Sequence, residues 1–449
     1  MHTTKRYFTV FISMLLLVAP IHGQKKLWGK WYEMVNSITF NKNEIQEKPK
    51  TGWNILPVPS LGYSSDLGFQ LGAMADFIDF GNGEYYPGYR HRFYAQFSYF
   101  TEGALLYRLF YDTQHLIRGV RTTVDFTMLP QPKFEFYGFN GYEAPLTIDQ
   151  GPDFHNIERT LARLTLDFEG KIYRNIRWHA GLSAFSFKLG ETTYNSPSDR
   201  LSLYKLYVNK GLIREEEKSG GEHLYLKAGL VYDSRNSEAD PTRGIRSELF
   251  FSYTPDFIYN GGYSHLKLAF IHSTYKSLIP DKLTLATRVG YYGTIGGGQV
   301  PFYLQSNINT LMMRRITSEG LGGLSSLRGI LTNRVVGDGI AWANIEMRYR
   351  IIGMSAFGQY MYLTANPFLD FGAVVQPFRQ TEVRNAAEAD PNYSRYLYSG
   401  ERERLHFSTG LGLKLIINRN IVFSGEMGKA FNSQDGRNWQ FSFGSNYIF

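Results

Sequence analysis

The chain has 449 residues and no cysteine, which excludes a disulfide framework, thiol chemistry and cysteine-ligated metal. Its net charge of +8 comes from Lys and Arg scattered along the chain rather than massed in one stretch. That reads as lumen and loop charge, with contact to anionic lipid, and not as a nucleic-acid surface. Hydrophobic residues make up only 43% and the mean hydropathy is -0.29, yet there are 33 Phe, 32 Tyr and 45 Gly. Strands with one apolar and one polar face give that combination.

Residues 1–23 read as an export signal. Lys5 and Arg6 open it, Tyr7 to Ile21 form an apolar run broken only by Thr9, Ser13 and Pro20, and small Gly23 precedes Gln24 as the cleavage point. The run is about 15 residues, short of the roughly 20 that a membrane-spanning helix needs. No later stretch reaches about 18 consecutive apolar residues, so no transmembrane helix is expected. Residues 24–50 are too short for a separate domain, which rarely folds alone below about 40 residues. The segment "KKLWGKWYEMVNSITF" is compatible with a short amphipathic helix at the periplasmic surface or barrel mouth, and equally with a disordered lead.

From residue 51 onward the pattern is one of strands. About sixteen alternating segments fall near 53–64, 67–79, 90–101, 103–113, 118–128, 157–169, 175–189, 222–234, 243–255, 262–276, 281–294, 339–351, 361–376, 402–417, 420–430 and 437–449. In the eighth, Leu224, Leu226, Ala228, Leu230 and Tyr232 alternate with His223, Tyr225, Lys227, Gly229 and Asp233. In the twelfth, Ala343, Ile345, Met347 and Tyr349 oppose Trp342, Asn344, Glu346, Arg348 and Arg350. In the last, Trp439, Phe441, Phe443, Tyr447 and Phe449 share a face opposite Gln440, Ser442, Gly444 and Asn446. One face suits lipid and the other a wet, charged lumen. The expected fold is all-β: a transmembrane antiparallel β-barrel filling 51–449, with both ends periplasmic. Four connections that should face outside are long (129–156, 190–221, 295–338 and 377–401), and one inner connection, 80–89, is long for a turn.

Three segments then carry a resemblance. "LGGLSSLRGI" lies in the long sixth outer connection and contains Leu327, Arg328, Gly329 and Ile330. "FLDFG" on the thirteenth segment contains Phe368, Asp370 and Gly372, and "NIEMRYRI" on the twelfth contains Glu346. Together they resemble the BamA/TamA superfamily of outer-membrane assembly factors and translocases, the bacterial surface antigens. The resemblance implies that the loop tucks into the lumen and that Arg328 meets acidic groups of the two following strands. Alternation independently turns Glu346, Phe368, Asp370 and Gly372 inward. An arginine inside a barrel needs carboxylates, and its planar fork suits them. Where the family usually has an aromatic residue, this chain has Ile330, a departure expected to weaken packing without touching the charge. "YDSRNSEADPTRG" (Tyr232 to Gly244) is similar to the family's periplasmic turn between the eighth and ninth strands, and "PVPSLGYSSDLGFQLGA" to the first hairpin of surface antigens. The ending Ser442-x-Gly444-x-x-Tyr447-x-Phe449 resembles the β-signal that marks outer-membrane barrels in general.

The resemblance implies a weak seam between first and last strands that opens sideways to pass or insert a polypeptide, or to let a lipid through. Implied partners are outer-membrane lipid and lipopolysaccharide, and unfolded outer-membrane proteins as substrates. Members of the family normally carry POTRA domains before the barrel. Residues 24–50 leave no room for one, so a periplasmic partner is expected to supply them. The alternative is a passive porin-like channel, or a structural barrel without assembly activity. No enzyme, cofactor or metal site is expected: the histidines lack ligand spacing, no Gly-x-Ser-x-Gly elbow or phosphate loop occurs, and "GTIGGGQV" runs from a strand into an outer loop.

Overall fold

The computed structural model of the chain describes residues 50–85, 88–151, 153–192, 201–256, 263–308, 320–323, 326–356, 359–417 and 421–445. The export signal, nearly all of the 24–50 lead, and Tyr447 and Phe449 lie outside the described residues.

Sixteen strands follow one another around a closed antiparallel barrel: β1 (Trp53–Ser64), β2 (Gly68–Asp79), β3 (His91–Phe100), β4 (Leu105–Ile117), β5 (Val120–Glu135), β6 (Asn156–Tyr173), β7 (Ile176–Glu191), β8 (Gly220–Asp233), β9 (Gly244–Thr254), β10 (His265–Ile279), β11 (Leu283–Gly297), β12 (Gly339–Ala356), β13 (Gln359–Gln376), β14 (His406–Ile417), β15 (Ile421–Ala430) and β16 (Gln440–Ser445). Each pairs with its sequence neighbour, and β1 closes on β16. Alternation sets the facing as expected. On β12, Ile345, Met347 and Tyr349 are exposed to the outside while Asn344, Glu346 and Arg348 are buried. On β8, Leu226 and Leu230 face out and Tyr225 and Lys227 face in. The exposed large apolar side chains, such as Leu109, Leu230, Phe251, Met347 and Phe441, thus make an outer surface fit for lipid.

The long outer connections fold over one mouth of the barrel. Helix α1 (Leu203–Asn209) starts where the Ser202 hydroxyl accepts from the Lys205 amide. Helix α2 (Phe302–Gln305) is a single turn. Helix α3 (Gln380–Ala389) is followed by α4 (Pro391–Leu397), which has Asp390 as N-cap and Pro391 in its first turn. Phe136, Phe139, Tyr207, Phe302, Phe378 and Leu397 bury into one core between them. Each such side chain contributes roughly 1.5–3 kcal/mol, so the cap is a packed layer.

Several boundaries differ from the sequence reading. β5 runs to Glu135 and β6 starts at Asn156, so the outer connection shrinks to 136–155, and β6 continues at its other end to Tyr173. Pro130 and Pro132 both lie within the extension of β5. Past Met128, however, β5 has no partner on β4, and the ladder to β6 shifts between Gln131 and Phe134. Proline is tolerated at such a free edge and bulge. β14 starts at His406 rather than 402, because Glu403 instead accepts from the amides of Tyr142 and Val374. The 80–90 connection has a role: Tyr89 donates to Asp112 at 2.5 Å, and Arg121 donates to the Tyr89 hydroxyl.

Candidate functional site

The tucked outer loop is a hairpin in its own right. Leu321 and Val335 exchange both backbone hydrogen bonds at 3.0 Å, and the Gly323 amide donates to the Ile330 carbonyl. Ser326 Oγ donates to the Gly322 carbonyl and accepts from its amide, and Asn344 of β12 donates to the Ser326 carbonyl at 2.7 Å. Leu321, Leu327, Ile330 and Val335 bury against Trp342 and Val374. Ile330 is therefore buried in this cluster at the position where the family pattern has an aromatic ring. Gly372 faces this cluster, and a Cβ there would come within 3.2 Å of Leu321 and Leu327.

The hairpin tip carries Arg328, which is 1% exposed. Its Nε and Nη2 donate to the two oxygens of Asp370 at 2.8 and 2.9 Å, a bidentate fork, while its own amide donates to the same carboxylate at 3.0 Å. Nη1 donates to Glu346 at 2.6 Å and lies 3.4 Å from Glu426. The guanidinium carbon sits 3.6 Å from the centre of the Phe368 ring, a stacking contact available to arginine but not to lysine. The loop approaches β15 backbone to backbone. Gly329 has φ +89, and a Cβ on it would stand 2.4 Å from the Lys429 amide nitrogen. Gly428 opposite it leaves the room.

Every residue predicted for the latch, Leu327 to Ile330 with Glu346, Phe368, Asp370 and Gly372, is thus brought to one place. The sequence reading missed the rest of the network. Lys414 of β14 lies 2.9 Å from Glu426 and 3.7 Å from Glu346; Arg348 donates to Glu346 at 2.9 Å, and Asn366 to Glu346 at 3.2 Å. Arg328, Arg348 and Lys414 therefore balance Glu346, Asp370 and Glu426. A neutral, interlinked set is what lets charges persist out of water.

The latch adjoins the barrel's closing seam. The β1–β16 pairing described is Tyr63↔Phe443 and Ser64↔Ser442, continued by the Ser65 amide donating to the Phe441 carbonyl at 3.1 Å. The β1–β2 ladder, by contrast, runs unbroken from Trp53↔Asp79 to Ser64↔Gly68. Asp66, just past β1, accepts from the loop's Thr332. A small cleft lies here, lined by Ser64, Asp66, Arg328, Glu426, Gln440 and Ser442. Of the predicted terminal signal, Ser442 and Gly444 fall on β16, with Ser442 facing inward opposite Glu426 of β15.

A closed sixteen-stranded barrel, apolar outside and latched from within by an arginine-tipped outer loop, defines a transmembrane barrel of the Omp85 type. The chain belongs to the Omp85 superfamily: that superfamily's domain matches residues 80–449. The fold implies an outer-membrane location. Among solved structures, it is similar to BamA from Haemophilus ducreyi lacking POTRA domains 1-3, with 17% identity and TM-score 0.54 over 89% of this chain and 71% of that one. It is similar also to CdiB from Escherichia coli, with 12% identity and TM-score 0.52 over 92% of this chain and 69% of that one. No curated protein matches the sequence.

Proposed function

We propose that this barrel helps to insert or translocate polypeptides at the outer membrane, without a cofactor and without enzymatic chemistry. The observation that carries the reading is the Arg328 latch beside the seam in a chain of the Omp85 superfamily. A loop fastened to β12, β13 and β15 holds the wall rigid up to the last strands. The β1–β16 pairing, short among the described residues, is then the place where the wall parts, because few inter-strand hydrogen bonds there must be exchanged. An incoming strand finds unpaired backbone at such an edge. The signal is removed near Gly23, the barrel meets lipid and lipopolysaccharide, and a periplasmic partner presents the substrate.

The porin-like alternative predicts a water-filled channel, which roughly sixteen to eighteen strands can enclose. Here the latched loop and its apolar cluster occupy the lumen, which favours the insertion reading. Reconstitution decides between them. The purified barrel in liposomes should speed the folding of a urea-denatured outer-membrane barrel over protein-free liposomes. Steady ion conductance with no acceleration of folding would support the channel instead.

A further inference from the structure

Neighbouring antiparallel strands can be joined by about two residues, and the inner turns at 118–119 and 174–175 are that short. The turn from β8 to β9 occupies 234–243, so most of it is not needed to make the connection. Its shape is fixed from within. Asn236 Oδ1 accepts from the amides of Thr242 and Arg243 at 3.0 Å each, and Arg235 and Arg246 both grip Asp233.

Its far contacts reach two different walls. Glu238 pairs with Arg121 of β5 at 3.3 Å, and Arg121 is itself clamped by Asp112 at 2.9 Å. In the other direction, buried Asp240 accepts from the hydroxyl of Tyr362 on β13, and the Pro241 carbonyl accepts from Arg348 Nη1 at 3.3 Å. In a closed barrel of sixteen strands, β5 and β13 are eight strands apart in either direction, which places them on opposite walls. Arg121 and Tyr362 both lie near the periplasmic ends of their strands. A turn that touches both crosses the mouth along a diameter.

We infer that the 234–243 turn is a strap that closes the periplasmic mouth of the lumen, and that entry from the periplasm requires its release from β5 and β13. The closed strap and the outer latch are linked through Arg348 and Glu346: Arg348 donates to the Pro241 carbonyl with one nitrogen and to Glu346 with another, and Glu346 also accepts from Arg328. The strap is therefore seated against the underside of the network that fixes the outer loop. This inference goes beyond the proposed function and is independent of what passes the barrel.

The absence of cysteine makes the test clean. Ser273→Cys places a thiol at a buried, inward position of β10, and Asn307→Cys places one under the outer cap. The folded full-length protein in nanodiscs is treated with a water-soluble methanethiosulfonate reagent, with folding checked by heat-modifiability on gels. Glu238→Gln and Tyr362→Phe, combined, should raise the rate at position 273 by about tenfold, the change expected when lost anchors ease a local opening by one such factor. The rate at 307 should stay slow, and Tyr362→Phe alone should raise that at 273 by less. An unchanged rate at 273 in the folded double variant overturns the strap. An equal rise at 273 and 307 also overturns it, because the whole barrel would then have loosened.

Discussion

Arg328 is a cation that folding takes out of water and surrounds with two carboxylates in direct contact, a third nearby and an aromatic face. Such a group is costly to disturb from one side only, because the carboxylates stay behind. Removing one partner of a buried pair costs roughly 3–5 kcal/mol, and a partly wet lumen lowers this. Arg328→Ala should therefore free the outer loop, and protease added to intact cells should cut between about residues 320 and 335 where the parent protein resists. Arg328→Lys keeps the charge but loses the fork and the stacking, so its cleavage should fall between the two. Resistance unchanged in Arg328→Ala would show that the apolar cluster alone holds the loop. Gly329→Ala meets backbone rather than a movable side chain, at a φ that disfavours Cβ. It should cost about 1–3 kcal/mol, read as a lower unfolding midpoint in urea.

Much of this site was legible at the residue scale. Period-2 parity turned Glu346 and Asp370 inward, and the motif around Arg328 gave them a partner. Lys414 and Glu426 had the same parity: Lys414 stands between Leu413 and Leu415, both exposed to the outside. Parity says that such a residue faces the lumen, but not which loop will descend beside it. That pairing is set by the depth to which the hairpin enters, and the depth by the Gly329–Gly428 approach, which has no periodic signature.

At the scale of elements, the ends of strands carried the surprises. Interior segments announce themselves through alternation, whereas their limits depend on partners that sequence does not display. β5 continues through two prolines because its edge is free there. β14 starts late because the Glu403 carboxylate is taken up by the amides of Tyr142 in an outer connection and Val374 on β13. β16 is the element with most at stake, since it completes the barrel against β1. Phe441 and Phe443 face lipid on it, and Ser442 faces inward. In the sequence, Tyr447 and Phe449 continue the parity of Phe441 and Phe443, and both lie outside the described residues. Deleting Phe449, or replacing Tyr447 with Asp, should lower the amount of heat-modifiable barrel recovered from the outer membrane. A charge facing lipid costs up to about 2–4 kcal/mol at mid-membrane and less near the interface. Parent-level recovery of both variants would mean that the terminal motif is not read during assembly.

At the scale of the whole molecule, the barrel is closed at one mouth by packed loops and crossed at the other by the 234–243 turn, with the latch between them. The sixteen strands and their facing were readable from the chain. The cap was not, because its core joins aromatic residues from connections hundreds of residues apart, such as Phe136 and Phe378. Under the proposed function, a lumen filled in this way leaves the wall as the working route, and among the described residues the wall is least paired between β1 and β16. The most direct measurement locks that seam. Ser64 and Ser442 are register partners, so Ser64→Cys with Ser442→Cys places two thiols across it in an otherwise cysteine-free chain, within the roughly 4.5–5.5 Å Cβ separation of facing residues. The oxidised barrel in liposomes should give no acceleration of folding of a denatured outer-membrane barrel, and adding a reducing agent should restore the parent rate. Equal acceleration by the oxidised and reduced barrels would contradict a function exercised through the seam.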